Sequence, residues 1–342
     1  VPLMGLGQGW EKIITGVSGK GKSVQQTVDG GYIVCSTHDS HSYLIKTDGN
    51  GDSLWTKSYA FHDEKFFSVE QTTDGGYIVC GYTNDVNQNA DYNLYLMKTD
   101  GSGDTLWTKV YPGINGERGY SVQQTTDGGY IVCGTVTDLD LTSPTYWDND
   151  VYLIKIDANG LEQWSQTFGG IFHDYGESVQ QTIDGGFIVI GTHHFFDTLS
   201  FMNNEFTYLI KTNGNGIEQW NYLFGDTMLI GNDYLTISNG ESVQQTVDGG
   251  YIICGSSGEY FGPGNIIGDV FLAKTDGNGI EQWRENYGGI SDDYGASVQQ
   301  TIDGGYIICG TTEGNKRDVY LIKTDGNGLE QWTKTFGGTN ND

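Results

Sequence analysis

The chain has 342 residues, with 17 Lys and Arg against 44 Asp and Glu, which gives a formal net charge of -27 at pH 7. A charge of this sign repels phosphate backbones and anionic membrane surfaces, so we expect no nucleic-acid partner. No apolar run approaches the roughly 20 residues that a membrane-spanning helix needs, so we expect no membrane span. Because the sequence opens on Val1 rather than Met, we expect an upstream segment to have been removed, and a cleaved secretion signal is the favoured explanation.

One sequence unit recurs six times along the chain. Its most constant part is SVQQTVDGGYIVC, residues 23–35 in the first copy. The Asp-Gly-Gly of successive copies begins at Asp29, Asp74, Asp127, Asp184, Asp248 and Asp303, so the periods are 45, 53, 57, 64 and 55 residues. A period of this size is typical of a β-propeller or another repeat array. We therefore predict a single β-propeller domain over 1–342, with repeats at approximately 17–59, 60–111, 112–168, 169–224, 225–287 and 288–337.

Each unit divides into four short apolar or alternating runs separated by turn residues, which is the pattern of four antiparallel strands, named a to d here. In the last unit, strand a begins at Ser297, b at Tyr306, c at Val319 and d at Glu330. The a–b turn is Asp-Gly-Gly and the c–d turn is Thr-Asp-Gly-Asn-Gly. Both are rich in residues that tolerate positive φ and predict tight hairpins. The predicted fold class is all-β, a β-propeller of six four-stranded repeats, and no helix is required.

Three residue types recur at fixed positions of the unit. Strand d carries a tryptophan at Trp55, Trp107, Trp164, Trp220, Trp283 and Trp332. Strand c carries a lysine at Lys46, Lys98, Lys155, Lys211, Lys274 and Lys323. Strand b carries Cys35, Cys80, Cys133, Cys254 and Cys309, with Ile190 at the same position of the fourth unit. We predict that the tryptophans pack between neighbouring sheets, that the lysines are structural, and that the cysteines are free, buried thiols.

The c–d segments, such as TDGNGDSLW ending at Trp55, resemble the tryptophan-docking repeat of quinoprotein-type β-propellers. The whole unit is similar to the DGGYIVAG, YLIKTD and W-x-K repeats of secreted bacterial and archaeal surface proteins. The resemblance covers nearly all of the chain, and it implies a propeller fold and an extracellular or cell-surface location. Quinoprotein enzymes usually have eight blades and an adjacent Cys-Cys pair beside their cofactor. This sequence has no such pair, so we expect no pyrroloquinoline cofactor.

Residues 9–16, GWEKIITG, match strand d with Trp10 in the tryptophan position. The chain therefore has seven d strands but six each of a, b and c, and the propeller is predicted to have six or seven blades. Three interpretations of this additional N-terminal strand stay open: it covers a sheet edge, it belongs to a seventh blade completed by other residues, or it is donated to a neighbouring molecule. The last interpretation predicts a homo-polymer formed by strand exchange.

The b–c and d–a connections hold nearly all of the variation between units, and variable loops on a rigid scaffold are where binding usually resides. The longest of them place aromatic side chains beside carboxylates. The candidate ligand-binding residues are Tyr146, Trp147, Phe195, Phe196, Tyr260 and Phe261. Such surfaces suit a protein partner or a glycan; alternatively, these side chains only plug the loops against the sheet edges. The sequence thus favours a non-catalytic structural or binding module.

The variable loops also contain candidate metal ligands. Asp138, Asp140, Asp148 and Asp150 lie close together in sequence, and calcium takes several oxygen ligands. All six histidines fall in loops of the same end, at His38, His41, His62, His173, His193 and His194, in no zinc-like spacing. The alternative function is a propeller enzyme acting on glycans, with an acidic site among these loops. No carboxylate pair stands out for that chemistry, because acids are abundant.

Overall fold

A computed structural model describes residues 19–38, 41–59, 64–84, 92–112, 116–138, 148–197, 202–225, 227–230, 233–236, 238–260, 266–314 and 317–337. The chain divides into two compact units, Val1–Gln124 and Thr125–Asp342. Every regular element among the described residues is a β-strand. The described residues contain no helix long and apolar enough to span a membrane. The predicted all-β class is confirmed.

The described strands form six four-stranded sheets and one two-stranded sheet. The first sheet contains β1 (Lys20–Gln26), β2 (Tyr32–Thr37), β3 (Ser42–Thr47) and β4 (Ser53–Tyr59). The second contains β5 (Lys65–Gln71), β6 (Tyr77–Asn84), β7 (Tyr92–Thr99) and β8 (Thr105–Tyr111). The third contains β9 (Glu117–Gln124), β10 (Tyr130–Asp138), β11 (Asp148–Ile156) and β12 (Glu162–Phe168).

The remaining sheets lie in the second unit. The fourth contains β13 (Asp174–Gln181), β14 (Phe187–Asp197), β15 (Met202–Thr212) and β16 (Glu218–Phe224). The two-stranded sheet pairs β17 (Thr227–Ile230) with β18 (Asp233–Thr236). The fifth contains β19 (Ser238–Gln245), β20 (Tyr251–Tyr260), β21 (Ile266–Thr275) and β22 (Glu281–Tyr287). The sixth contains β23 (Asp293–Gln300), β24 (Tyr306–Glu313), β25 (Arg317–Thr324) and β26 (Glu330–Phe336).

In each four-stranded sheet, the spatial order of the strands follows the chain. The six described sheets are the blades of a β-propeller, and the predicted division of each repeat into strands a to d is confirmed. The hairpin of β17 and β18 lies within a connection in which the sequence predicted no strand. The additional d-type strand at residues 9–16 lies outside the described residues and stays a prediction.

The Asp-Gly-Gly turn is the tight hairpin that the sequence predicts. In the first sheet, the N–H of Thr27 donates to the carbonyl of Gly31 at 2.9 Å, and Gly30 adopts a φ of 83°. Asp29 accepts hydrogen bonds from the Thr27 hydroxyl at 2.5 Å and from the Gly31 N–H at 3.0 Å. The turn is therefore closed by backbone and side chain together.

The strand c lysines are structural, as predicted. Lys46 is 4% exposed; its ammonium lies 2.9 Å from an Asp29 carboxylate oxygen and donates to the Thr47 carbonyl at 2.8 Å. The same ion pair joins Lys98 to Asp74, Lys155 to Asp127, Lys211 to Asp184, Lys274 to Asp248 and Lys323 to Asp303. Each lysine thus neutralises the aspartate of its own a–b turn, so the buried charge is paired.

The tryptophans pack between consecutive sheets at four described junctions. The Trp55 ring meets the Tyr77 ring edge-on, with centroids 5.9 Å apart. The other three pairs are Trp164 with Phe187, Trp220 with Tyr251 and Trp283 with Tyr306. A glycine of the next c–d turn lies against the same indole: a Cβ on Gly279 would come within 2.6 Å of Trp220. The packing role predicted for tryptophan is confirmed at these junctions.

The first and last sheets each leave one apolar face more exposed than its internal counterparts. Val24 is 64% exposed, whereas the valines at the same position of the other five sheets are 3–6% exposed. In the sixth sheet, Trp332 is 40% exposed. All five cysteines are free, as predicted, and four are buried, but Cys309 is exposed. The prediction of a buried thiol is wrong for Cys309, because the face on which it lies is not covered as the equivalent internal faces are.

Candidate functional site

Long strands of the second unit carry a group of aromatic, histidine and carboxylate side chains to its loop end. β14 and β15 have 11 residues each, whereas β2 and β3 of the first sheet have six. Antiparallel register places Asp174 opposite His193 and places His194 opposite Glu205. The extra length of β14 and β15 therefore brings residues that are far apart in sequence to one place at the end of the fourth sheet.

The shortest polar contact of this group joins His193 to Asp174. The imidazole Nδ1 lies 2.6 Å from Asp174 Oδ1, and Asp174 is fully buried. Burial raises the pKa of Asp174, and the hydrogen bond to His193 opposes that rise. When the carboxyl is ionised, it accepts from Nδ1–H and leaves Nε2 of a neutral His193 as an acceptor.

Asn149 connects a second histidine to a tyrosine. Its side-chain nitrogen lies 3.3 Å from His173 Nδ1 and donates to the Tyr175 hydroxyl at 3.1 Å. The Thr137 hydroxyl donates to the Asn149 side-chain oxygen at 2.7 Å, which fixes the orientation of the amide. Asp148, only 3% exposed, places an oxygen 3.5 Å from the same His173 nitrogen. These polar groups are held by one another before any ligand arrives.

The third histidine packs against the same tyrosine. The rings of Tyr175 and His194 meet edge-on with centroids 5.2 Å apart, and His194 Nδ1 lies 3.8 Å from a Glu205 oxygen. Burial lowers the pKa of His194, although Glu205 partly opposes this. A neutral imidazole here presents a flat, half-buried surface rather than a fixed positive charge.

A phenylalanine pair lies beside the histidines and faces solvent. Phe172 and Phe195 meet edge-on with ring centroids 5.2 Å apart, and Phe195 is 41% exposed. We name Phe172, His173, Tyr175, His194 and Phe195 the aromatic ledge. The ledge combines exposed apolar area with hydrogen-bonding groups whose positions are already set, which is the composition of the centre of a binding surface.

Comparison with known proteins supports the architecture of the chain but identifies no family. No protein-family model and no curated protein sequence matches the chain. Among solved structures, it is similar to a PL25 polysaccharide lyase, an ulvan lyase bound to -[GlcA(1-4)Rha3S]-, at 10% identity and a TM-score of 0.56, covering 96% of this chain and 82% of that one. It is also similar to Drosophila Semaphorin 2a, at 7% identity and a TM-score of 0.53, covering 93% and 68%.

A third similar structure is the Pan2 WD40 domain of Neurospora crassa, at 10% identity and a TM-score of 0.51, covering 95% of this chain and 90% of that one. These likenesses establish the fold alone. Propellers at this level of identity have unrelated functions, so their names assign none to this chain. The resemblance to quinoprotein-type repeats and to secreted surface proteins stays a prediction.

The structure describes some of the sequence-predicted ligand-binding residues and not others. Phe195 lies in the aromatic ledge. The backbones of Phe196 and Tyr260 belong to β14 and β20, but their side chains lie outside the described part of the molecule. Tyr146, Trp147 and Phe261 lie outside the described residues altogether. Their predicted role in binding therefore stays a prediction.

The predicted calcium ligands divide in the same way. Asp148 and Asp150 lie on β11, and register places Asp148 opposite Asp138 on β10. The side chain of Asp138 lies outside the described part, as does the whole of Asp140. Among the residues that the structure describes, no three His, Cys, Asp or Glu side chains are arranged to hold a metal ion. A calcium site built from all four aspartates stays a proposal.

Sequence reasoning named His193 among the loop histidines but missed its pairing with Asp174. They are 19 residues apart, and only the register of β13 with β14 brings them together. The available signal was the position of Asp174, four residues before the conserved Ser of its repeat unit, where Glu64, Glu117 and Asp293 also stand. An acid recurring at one strand position indicates a specific environment rather than random surface charge.

Proposed function

We propose that this protein is a non-catalytic binding module, extracellular or on a cell surface, that holds a protein partner at the aromatic ledge. The observation that carries the proposal is the exposed Phe195 packed on Phe172 beside the hydrogen-bonded pair of His173 and Asn149. Solvent-facing aromatic side chains surrounded by oriented polar groups match the core and rim of a protein interface.

The charge of the chain selects the kind of partner. A net charge of -27 steers a basic protein surface toward this one and repels an acidic surface. Glu205, whose side chain is 28% exposed, lies at the edge of the ledge and would face the basic groups of a partner. We therefore expect a partner with a basic rim around an apolar centre, and an association rate that falls as salt is added.

Site-specific photo-cross-linking tests this proposal. A photoreactive phenylalanine analogue replaces Phe195 in one protein and Ile290 in another. Ile290 is 93% exposed in the connection between the fifth and sixth sheets, the counterpart of the connection that carries Phe172. In the secreted and surface fractions of the producing cells, position 195 should yield one discrete cross-linked protein that position 290 does not. Equal cross-linking at both positions, or none at position 195, refutes the proposal.

Self-assembly is a second candidate function, supported by the exposed faces of the end sheets. At the four described junctions, a face carrying the strand d tryptophan packs against a face carrying the strand a valine. Trp332 and Val24 offer those two face types, 40% and 64% exposed respectively, so one copy can accept another. Light scattering should give a mass that rises with concentration and falls in the Trp332→Lys protein. One constant monomer mass, also unchanged when residues 1–16 are deleted, rules out assembly by these faces or by strand exchange.

The alternative of an enzyme acting on glycans draws on the pair of His193 and Asp174, since a histidine oriented by a buried carboxylate is a candidate general base. A polysaccharide panel tests it, with the wild type compared to the His193→Gln protein and to proteins in which Asp140 or Asp148 becomes Asn. Turnover that disappears in these variants supports the enzyme. No turnover by the wild type leaves the binding module as the function.

A further inference from the structure

We propose that the cavity between the fourth and fifth sheets, at the turn end, binds a neutral saccharide. The cavity has a volume of about 540 Å³, and its walls include Asp184, Lys211, Gln219, Trp220, Gln245 and Tyr251. A space of this size lies in the range of small-molecule sites. It is formed by the a–b and c–d turns, so it is distinct from the aromatic ledge, which lies at the opposite ends of the strands.

The charges in the cavity cancel, so it does not select an ion. The Lys211 ammonium lies 2.9 Å from Asp184 Oδ2 and also donates to the Thr212 carbonyl at 2.8 Å and to Gln219 Oε1 at 3.2 Å. The hydrogens of the ammonium are therefore engaged within the protein. The Asp184 side chain is 57% exposed and keeps acceptor capacity for a ligand hydroxyl.

Two amide groups are oriented so that each offers hydrogens to a ligand. Gln219 Oε1 accepts from Lys211, and Gln245 Oε1 accepts from the N–H of Ile183 at 2.9 Å. Because both amide oxygens are used inside the protein, both Nε2 groups keep their hydrogens for a bound molecule. The cavity thus offers fixed donors from Gln219 and Gln245 opposite a fixed acceptor from Asp184.

An aromatic surface completes the site. Trp220 packs against Tyr251 with centroids 5.9 Å apart and remains half-buried at the cavity. A sugar ring presents hydroxyls that accept from amide N–H groups and donate to a carboxylate, and it presents apolar C–H groups that pack against an indole. The net charge of -27 disfavours acidic glycans, so the ligand class is a neutral saccharide.

The same arrangement recurs at two further junctions of the second unit. Between the third and fourth sheets, Lys155 donates to Gln163 at 3.0 Å and the N–H of Thr126 donates to Gln181 at 2.8 Å. Between the fifth and sixth sheets, Lys274 donates to Gln282 at 3.5 Å and the N–H of Val247 donates to Gln300 at 3.0 Å. The hydrogen bonds at the two amide oxygens therefore recur around Trp164 and Trp283, and we expect the same ligand class there.

The first two sheets provide a natural comparison. Leu54 and Leu106 stand where the later sheets have the strand d glutamine. The junction of the first and second sheets keeps the Lys46–Asp29 pair but lacks that amide donor. We expect weak or no saccharide binding at this junction. The natural leucines also show that the fold tolerates leucine at this strand d position.

Nuclear magnetic resonance of the tryptophan indole N–H groups tests the proposal, with the methyl glycosides of glucose, galactose, mannose and N-acetylglucosamine as probes. At least one of them should shift the signals of Trp164, Trp220 and Trp283 in a saturable way. In the Gln219→Leu protein, the apparent affinity reported by Trp220 should fall about tenfold or more, because a ligand hydrogen bond is lost. The shifts of Trp164 and Trp283 should persist.

The matched control is Leu223→Gln, which makes the opposite exchange four residues further along the same strand. It should leave all three signals responsive. If none of the four glycosides shifts these signals, or if Trp220 responds unchanged in the Gln219→Leu protein, the proposal is overturned. Cross-linking from position 195 should be the same in the Gln219→Leu protein, so failure of this site and failure of the aromatic ledge are separate results.

Discussion

Glu70 stands where the other five repeats have glutamine, and its replacement by glutamine should change the dependence of stability on pH. The N–H of Gln124 donates to Glu70 Oε2 at 2.6 Å, within the first unit. In the fifth and sixth sheets, the N–H of Gln300 donates to Gln244 Oε1 at the same distance. The Glu70→Gln protein keeps that accepting oxygen while it removes an ionisable group from a half-buried position.

The magnitude follows from the pKa. Burial raises the pKa of Glu70 from 4.5 to about 7, although the hydrogen bond from Gln124 opposes the rise. Between these two values the unfolded chain loses its proton while the folded chain keeps it, so the free energy of unfolding falls as pH rises. At about 1.4 kcal/mol for each pKa unit, the loss across this range is roughly 3 kcal/mol. Above the folded pKa, both states are ionised and the loss is complete.

Urea unfolding followed by tryptophan fluorescence, from just above pH 4.5 to just above pH 7, measures this effect. The Glu70→Gln protein should gain stability over the wild type as pH rises, by up to about 3 kcal/mol at the upper end. The converse change, Gln244→Glu, should introduce the same fall into the second unit. A difference between Glu70→Gln and the wild type that stays constant over this range refutes the reasoning.

Three further predictions concern packing, thiol access and metal. Gly279→Ala should lower stability by more than about 2 kcal/mol in urea unfolding, because its φ is 81° and a Cβ would meet Trp220, whereas Gly249→Ala, at a φ of 84° in open space, should cost only about 1 kcal/mol. In the native protein a thiol reagent should label Cys309 much faster than the four buried cysteines; five equal rates would contradict this. If the four loop aspartates bind calcium, the ion should raise the melting temperature of the wild type but not of Asp148→Asn; no response to chelator removes the proposal.

The repeat made most of the fold predictable. An Asp-Gly-Gly turn favours a tight hairpin, and a tryptophan at the same position of every unit is expected to pack against the next sheet. Trp220 on Tyr251 and Lys211 on Asp184 are therefore local consequences of the sequence unit. Such features need no knowledge of where a unit lies in the array.

Features that depend on the neighbouring sheet were less predictable. Cys254 and Cys309 have nearly the same sequence context, yet one is buried and the other exposed, because sheet packing rather than local sequence decides burial. The pairing of His193 with Asp174 likewise depends on how far β14 continues past its conserved part. Loop composition does not encode that length, so His193 was a candidate without a predicted partner.

The recurring glutamines show a further limit of prediction from sequence, and this limit bears directly on the proposed saccharide site. The position of Gln245 is glutamine in all six repeats and that of Gln219 in four of them, and this recurrence alone indicates only a structural role. The hydrogen bonds at their oxygens are indeed structural, but an amide that accepts through oxygen still has two hydrogens to donate. A residue can therefore hold the scaffold with one atom and bind a ligand with another. Leu54 shows that the fold does not require this amide, because the first sheet forms with leucine at the same position.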